Sequence, residues 1–240
     1  MKLTYLGVAC LAAVTVSLAT TILLSEPSGM RAQAAAARVS PQLKRDLQAA
    51  KLVWGAPIFL RIFKRERVLQ LWIARSDGVF QHFRDYPICA YSGELGPKTR
   101  EGDRQAPEGI YQVSLAQLNP ASRFHLSFNL GYPNRFDRAH GYTGSALMVH
   151  GNCVSIGCYA MTDAKIEEIY TLAETALRAG QAHIAVHAFP FELGEAALAE
   201  QSAHRWIPFW RDLQPIYSAF ESSKRVPKVA VDNMRYRVTP

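Results

Sequence analysis

Nine consecutive residues, His150-Gly151-Asn152-Cys153-Val154-Ser155-Ile156-Gly157-Cys158, put one imidazole and two thiols in a loop containing Gly and Ser. A cysteine becomes a nucleophile when a nearby base or positive field makes it a thiolate. In the catalytic reading, His150 takes the proton of Cys158, and the thiolate attacks a carbonyl to form an acyl-enzyme. Gly157 gives the substrate carbonyl access to the backbone N–H groups of Ile156, Gly157 and Cys158, an oxyanion hole. Three other readings stand beside this one. His140, His150, Cys153 and Cys158 have the softness zinc prefers, but their H-x9-H-x2-C-x4-C spacing lacks the close ligand pairs of structural zinc sites. Cys153 and Cys158 could bridge each other, or Cys89 could pair with either. A buried cysteine also packs as a small hydrophobe, which suits Cys89 best and Cys158 least.

The N-terminus bears on the compartment. Lys2 precedes an uncharged apolar run from Leu3 to Leu24, followed by Ala32-Gln33-Ala34, an A-x-A-type cleavage signal. The run has the roughly 20 residues needed to span a bilayer. Residues 1–34 are therefore read as a secretory signal peptide, cut near Ala34, or as an uncleaved anchor. Cys10 belongs to that segment, because the residues before it lack a lipidation pattern. Residues 35–41 are expected to be a linker and 42–240 a single catalytic domain, long enough for a real core. Export places the protein in the periplasm of a Gram-negative-type cell. It leaves Cys89, Cys153 and Cys158, an odd number in an oxidising compartment, so at least one thiol is free or pairs between chains. A formal net charge of +7 favours an anionic partner. Export argues against nucleic acid, and the basic residues are scattered except in the charged turn Lys64-Arg65-Glu66-Arg67.

Strands come first, and a helix follows the cysteine loop. Helical spacing of Leu43, Leu47 and Ala50 predicts a helix from Pro41 to Leu52. Strands are predicted at Ile58–Phe63, Val68–Ala74, Val79–Phe83, Ile88–Tyr91, Ile110–Leu115, Phe124–Asn129, Ala146–Val149 and His183–Phe189. The Gly- and Pro-rich stretch from Tyr91 to Pro107 is a loop, with Pro107-Glu108-Gly109 turning into the next strand. Thr162 and Asp163 open a helix whose stripe is Ile166, Ile169, Tyr170, Ala173 and Leu177, and Gly180 stops it. Gly194–His204 and Trp206–Phe220 are read as helices, with Pro215 kinking or ending the second. Lys228–Val238 is a final strand.

The segment Met148-Val149-His150-Gly151, followed by Ser155-Ile156-Gly157-Cys158, resembles the L,D-transpeptidase catalytic domain, also called the YkuD domain. Further pieces resemble its YafK-like subgroup: Gly102 through Gly109, Phe124 through Asn134, His150 through Asp163, Trp206 through Trp210 and Pro227 through Val231. The resemblance spans roughly residues 42–238. It implies a β-rich α+β fold with a β-sandwich or barrel-like core, a helix after the catalytic loop and C-terminal helices.

The resemblance also implies roles. Cys158 is the nucleophile and His150 the base, with the Gly151 carbonyl orienting the imidazole. Ser155, Ile156 and Gly157 belong to the oxyanion and orienting group. The substrates are peptidoglycan stem peptides, attacked at the carbonyl of the L-centre of meso-diaminopimelate, and no metal or cofactor is needed. The acyl group then passes to an amine or to water. The subgroup points to hydrolysis of the amide between wall peptide and an attached lipoprotein, with transpeptidation as the alternative and a non-catalytic wall-binding module as the alternative of another class. In this chain Ile156 stands where the family motif has histidine, and the interval from His150 to Cys158 is short. Ala160 replaces the Arg or Asn that usually follows the cysteine, so carboxylate recognition falls to Arg123, Tyr132, Asn134, Arg135 and Arg138.

Overall fold

A computed structural model describes residues 27–239. The apolar run from Leu3 to Leu24, including Cys10, lies outside the described residues. Among those described, no helix is long and apolar enough to cross a membrane.

The chain opens with α1 (Pro27–Ala49), then builds an antiparallel meander of β1 (Ile58–Phe63), β2 (Val68–Ala74) and β3 (Phe80–Pro87). After a long irregular loop come β4 (Gly109–Val113), β5 (Leu118–Asn119), β6 (Ser127–Asn129), α2 (Arg135–Ala139), β7 (Met148–His150) and β8 (Tyr159–Ala160). The remainder is α3 (Asp163–Arg178), β9 (Ile184–Phe189), α4 (Glu195–Glu200), α5 (Ile207–Ser223) and the hairpin β10 (Lys228–Asp232) and β11 (Arg235–Thr239).

The larger sheet has the order β3-β2-β1-β9-β4, and the smaller β5-β6-β7-β8. All six residues of the central β1 are buried, because both faces of the sheet are covered. Alternate side chains point to opposite faces. Ile58, Leu60 and Ile62 join Ile184, Val186 and Ala188 in the main core, together with Phe128 and Val149 of the smaller sheet and the apolar stripe of α3. Phe63 and Phe189 face the other way, toward Trp210, Leu213 and Ile216 of α5 and Tyr236 of the hairpin. The two sheets thus share one core, as an α+β fold requires.

Several expectations change. Ile88–Tyr91 is not a strand and forms only an isolated bridge from Ala90 to Ala160, while β3 runs on to Pro87 instead. Helix α1 begins at Pro27, not Pro41, and residues 35–41 are helical rather than a linker. Ala32 and Ala35 are buried in the main core alongside Leu43 and Leu47, so packing against α3 carries the helix through Pro41. Pro215 likewise lies inside α5, which runs on to Ser223, held by the buried Leu213, Ile216 and Phe220. The terminal strand is a hairpin, turned at Asn233 and Met234, both with positive φ. Such a pair is the turn that matches strand twist, but Met is a poor signal for it.

The charged turn at 64–67 is present, but its first residue, Lys64, does not face solvent. It is fully buried against Glu108, at 3.0 Å. Lys64 Nζ donates to the carbonyls of Glu94, Gly96 and Ala106, while Glu108 accepts from the Gly96 N–H at 2.6 Å and from Trp210 Nε1 at 2.9 Å.

His187 on β9 is buried with Nδ1 unpartnered. Burial, and then the Arg61 charge, push its imidazolium down to about 3. Because the folded value lies below the unfolded one, the associated stability is complete above 6.5 and is lost as pH falls toward 3. Between pH 7 and pH 5 this amounts to roughly 2 kcal/mol. Urea titrations of His187→Leu are expected to show a correspondingly smaller loss over that interval than the parent chain.

Candidate active site

Strands β7 and β8 run parallel, pairing Val149 with Tyr159 and His150 with Ala160. Cys158, immediately before β8, lies beside the start of β7, where its Sγ accepts the Met148 N–H at 3.4 Å. The thiol faces the Ala146 carbonyl at 3.8 Å. The imidazole and the free thiol are therefore carried by adjacent strands of one sheet, and the short loop between them forms the crossover. Cys158 is partly exposed and His150 is buried.

His150 Nδ1 lies 2.6 Å from the Gly151 carbonyl oxygen. A carbonyl can only accept, so Nδ1 carries the proton and Nε2 keeps a lone pair, which is the tautomer a general base needs. Phe124 covers the ring, with centroids 4.7 Å apart. Gly151 admits no side chain: a Cβ there would lie 2.6 Å from Asp163 Oδ1 and 2.8 Å from the Phe124 carbonyl. That close approach lets the Gly151 N–H bond the Leu126 carbonyl at 3.0 Å.

The loop is fastened along its length. Asp163 Oδ1, at the head of α3, accepts the Asn152 N–H at 2.7 Å. Thr162 precedes that helix but makes no side-chain cap. Ser155 Oγ accepts the N–H groups of Gly157 and Cys158 at 3.1 and 3.0 Å and donates to the Cys158 carbonyl at 2.7 Å. Two of the three N–H groups expected to form an open oxyanion hole are thus occupied by a hydroxyl in this resting arrangement. An incoming carbonyl oxygen must displace or share that hydroxyl. Ile156 is 80% exposed and forms no part of the core. Gly157 has φ +139°, a conformation L side chains rarely adopt.

Cys153 is bonded to Cys89, with Cα atoms 5.3 Å apart. The bridge settles the open cysteine readings: Cys158 is the free thiol. It also removes Cys153 from the four-ligand zinc set. Among the described residues, no group of three or more His, Cys, Asp or Glu could hold a metal. Next to the bridge, the Ala90 and Ala160 backbones bond each other, tying the end of the meander to β8.

Burial pushes the Cys158 thiol up, opposed by the Met148 N–H and the Lys98 charge. Burial also pushes the His150 imidazolium down, opposed by the Gly151 carbonyl. Both directions favour a neutral thiol beside a neutral imidazole. Lys98, absent from the sequence-based site, is buried and donates to the Arg100 carbonyl and Asp103. Its only sequence signal was a lysine in a Gly- and Pro-rich loop.

The expected carboxylate binders are scattered. Tyr132 is buried, its hydroxyl donating to the Lys98 carbonyl at 3.1 Å. Asn134 caps α2 through Asp137 and donates to the Ile110 carbonyl and the Tyr236 hydroxyl. These hydrogen bonds give both residues structural work. Arg135 and Arg138 line a groove of about 710 Å³ between β4, β9 and the terminal hairpin, whose lining includes neither Cys158 nor His150. Of the set, Arg123 is next to Phe124, the residue that covers the imidazole.

With a free thiol and a tautomer-fixed imidazole on neighbouring strands, residues 60–184 match the L,D-transpeptidase catalytic domain (YkuD) family. The chain belongs to it. It is 43% identical over 201 residues to the YafK protein of Escherichia coli (strain K12), covering 84% of this chain and 79% of that protein. The same figures hold for the YafK protein of Escherichia coli O157:H7. Among solved structures, the helical cell shape determining protein Pgp2 from Campylobacter jejuni aligns over 74% of this chain and 73% of its own, at TM-score 0.45 and 17% identity. Bdellovibrio bacteriovorus Bd1075 aligns over 74% and 78%, at TM-score 0.40 and 19% identity.

Two outcomes test this geometry. With a neutral thiol at rest, alkylation of Cys158 by iodoacetamide should climb only at a pH above that at which an ordinary free thiol ionises, where a preformed thiolate–imidazolium pair would give a plateau from mildly acid pH. The disulfide spans a sequence separation of 64. The chain-entropy account therefore predicts that Cys89→Ser with Cys153→Ser loses about 4 kcal/mol in denaturant titrations.

Proposed function

We propose that the protein is an exported thiol enzyme that acts on peptidoglycan stem peptides at meso-diaminopimelate. Cys158 is the nucleophile and His150 the general base. The observation that supports this reading is the pairing of β7 with β8, which carries Cys158 and His150 on neighbouring strands, the imidazole's Nδ1 being committed to the Gly151 carbonyl. Nε2 of His150 takes the thiol proton as the sulfur attacks the diaminopimelate carbonyl. The Ile156 N–H, with the Gly157 and Cys158 N–H groups once Ser155 Oγ yields, supports the negative charge that develops on oxygen. Collapse of the tetrahedral intermediate expels the amine, which leaves with the proton held by His150, and a thioester remains on Cys158.

Water then releases the acid, and the same imidazole removes its proton. We favour hydrolysis of the amide joining wall peptide to a covalently attached lipoprotein, on the strength of the YafK likeness. Transpeptidation shares every step up to the thioester and differs only in having an amine as acceptor. The basic balance of the chain suits an anionic wall polymer, and an exported location in the periplasm follows from the same reading.

The test incubates the protein with wall sacculi carrying bound lipoprotein and follows products by mass spectrometry. Release of protein with a free lysine amine is expected, and Cys158→Ala should abolish it while keeping the parent's melting behaviour. New cross-links or an exchanged amine would establish transpeptidation instead. Full turnover by the Cys158→Ala variant would overturn the cysteine mechanism.

A further inference from the structure

The face that α1 turns toward the site carries Arg31 and Arg38, seven residues apart and so on one side of the helix. Arg31 Nη1 donates to the Ser122 carbonyl at 2.8 Å and to the His125 carbonyl at 2.7 Å. Arg38 pairs with Glu167 of α3 through both guanidinium branches. Glu167 Oε1 in turn lies 2.7 Å from His125 Nε2. Both arginines therefore converge on the segment 122–125. That segment supplies Phe124, whose ring covers His150, and its Phe124 carbonyl lies in the space a Gly151 side chain would need. The next residue, Leu126, accepts the Gly151 N–H. The chain of contacts runs from α1 through segment 122–126 to the residue that holds the catalytic imidazole.

We propose that Arg31 is a positioning residue for His150, acting through segment 122–126, and that the working enzyme retains it. By sequence Arg31 falls within the leader, three residues before the expected cut. A cut at Ala34 would separate both the Arg31 guanidinium and the buried Ala32 from the domain. The inference rests on His150 being the base. Titratable or charged groups on the elements joined to that ring are Cys158 before β8, Asp163, which holds the Asn152 N–H, Glu167 of α3, which meets His125, and Arg123 next to Phe124.

The test uses the full chain in detergent, with labelled histidine, and follows the His150 ring by NMR after assignment with His150→Gln. Arg31→Ala should admit water beneath Phe124, so the ring should titrate closer to 6.5 than in the parent. Turnover of wall material should fall by roughly tenfold or more, with KM within about twofold, as expected for a misplaced base. Arg31→Lys keeps one donor and should shift the titration less, in the same direction. It carries the test if Arg31→Ala does not fold. Lys44→Ala, on the same helix but stacked over Trp54, should leave titration and turnover as they are. An unchanged His150 titration in Arg31→Ala, whatever happens to turnover, overturns the proposal. So does an exported protein whose intact mass begins at Ala35. If the parent chain does not turn over wall material, the substrate reading fails, and the titration shift stands or falls by itself.

Discussion

The buried pair of Lys64 and Glu108 is the constraint on which the site depends. Neither side chain is exposed to solvent, and a pair in that position survives only when its remaining hydrogen-bonding capacity is filled. Lys64 fills its donors with the carbonyls of Glu94, Gly96 and Ala106, and Glu108 takes the Gly96 N–H and the Trp210 indole. Burial pushes the Lys64 ammonium down, and Glu108 works against that. Removing one partner of such a pair typically costs about 3–5 kcal/mol. More important here is what the pair immobilises. The stretch from Gly93 to Pro107 has no regular structure of its own, yet it carries Lys98, whose charge reaches Cys158. Its Pro107 carbonyl accepts the Tyr159 hydroxyl at 2.6 Å, next to the nucleophile.

The catalytic loop is held by equally specific and chemically different fastenings. A covalent bridge ties Cys153 to the end of the meander, Asp163 ties Asn152 to α3, and Ser155 ties the loop's last turn to itself. Each acts on a different part of the loop, so Cys158 and His150 are set by the two sheets and the helix together. Effective positioning of a thiol against a base is worth several kcal/mol of barrier. In a loop this short, backbone geometry leaves little freedom for error.

Much of this was legible in the sequence, and the failures are physical ones. The strands of the meander, α3 and the cysteine loop were readable because apolar periodicity and turn residues agree there. Helix α1 was misplaced because Pro41 reads as a helix start, and the burial of Ala32 and Ala35 against α3 cannot be seen from residue type. The turn at Lys64 was readable but its burial was not, because lysine is rarely buried and its acceptors are carbonyls some thirty to forty residues away. Two residues of the carboxylate set have partners that residue type does not announce. Tyr132 and Asn134 are polar residues in a turn, and their partners, in the loop carrying Lys98 and in the terminal hairpin, decide that they hold structure. Lys98 itself could not be singled out, since its nearness to Cys158 depends on how an irregular loop is folded back.

The substitution of Ile156 for the motif histidine takes on a structural meaning. Its side chain is exposed and makes no core contact, so it does not replace an imidazole with packing. The segment is left with one histidine, and its ring is buried beneath Phe124 with its tautomer fixed. A neutral, buried imidazole and a neutral, partly exposed thiol on the neighbouring strand hold no charge at rest. Charge separation is therefore deferred until a carbonyl carbon is in place to receive the sulfur's electrons. Oxidants and stray electrophiles react with thiolates rather than thiols. A resting thiol is thus the less reactive form, and the cost is that proton transfer must accompany any attack by the sulfur. That cost is lowest when the base cannot turn away, which is what the Gly151 carbonyl, the Phe124 ring and the segment behind them ensure.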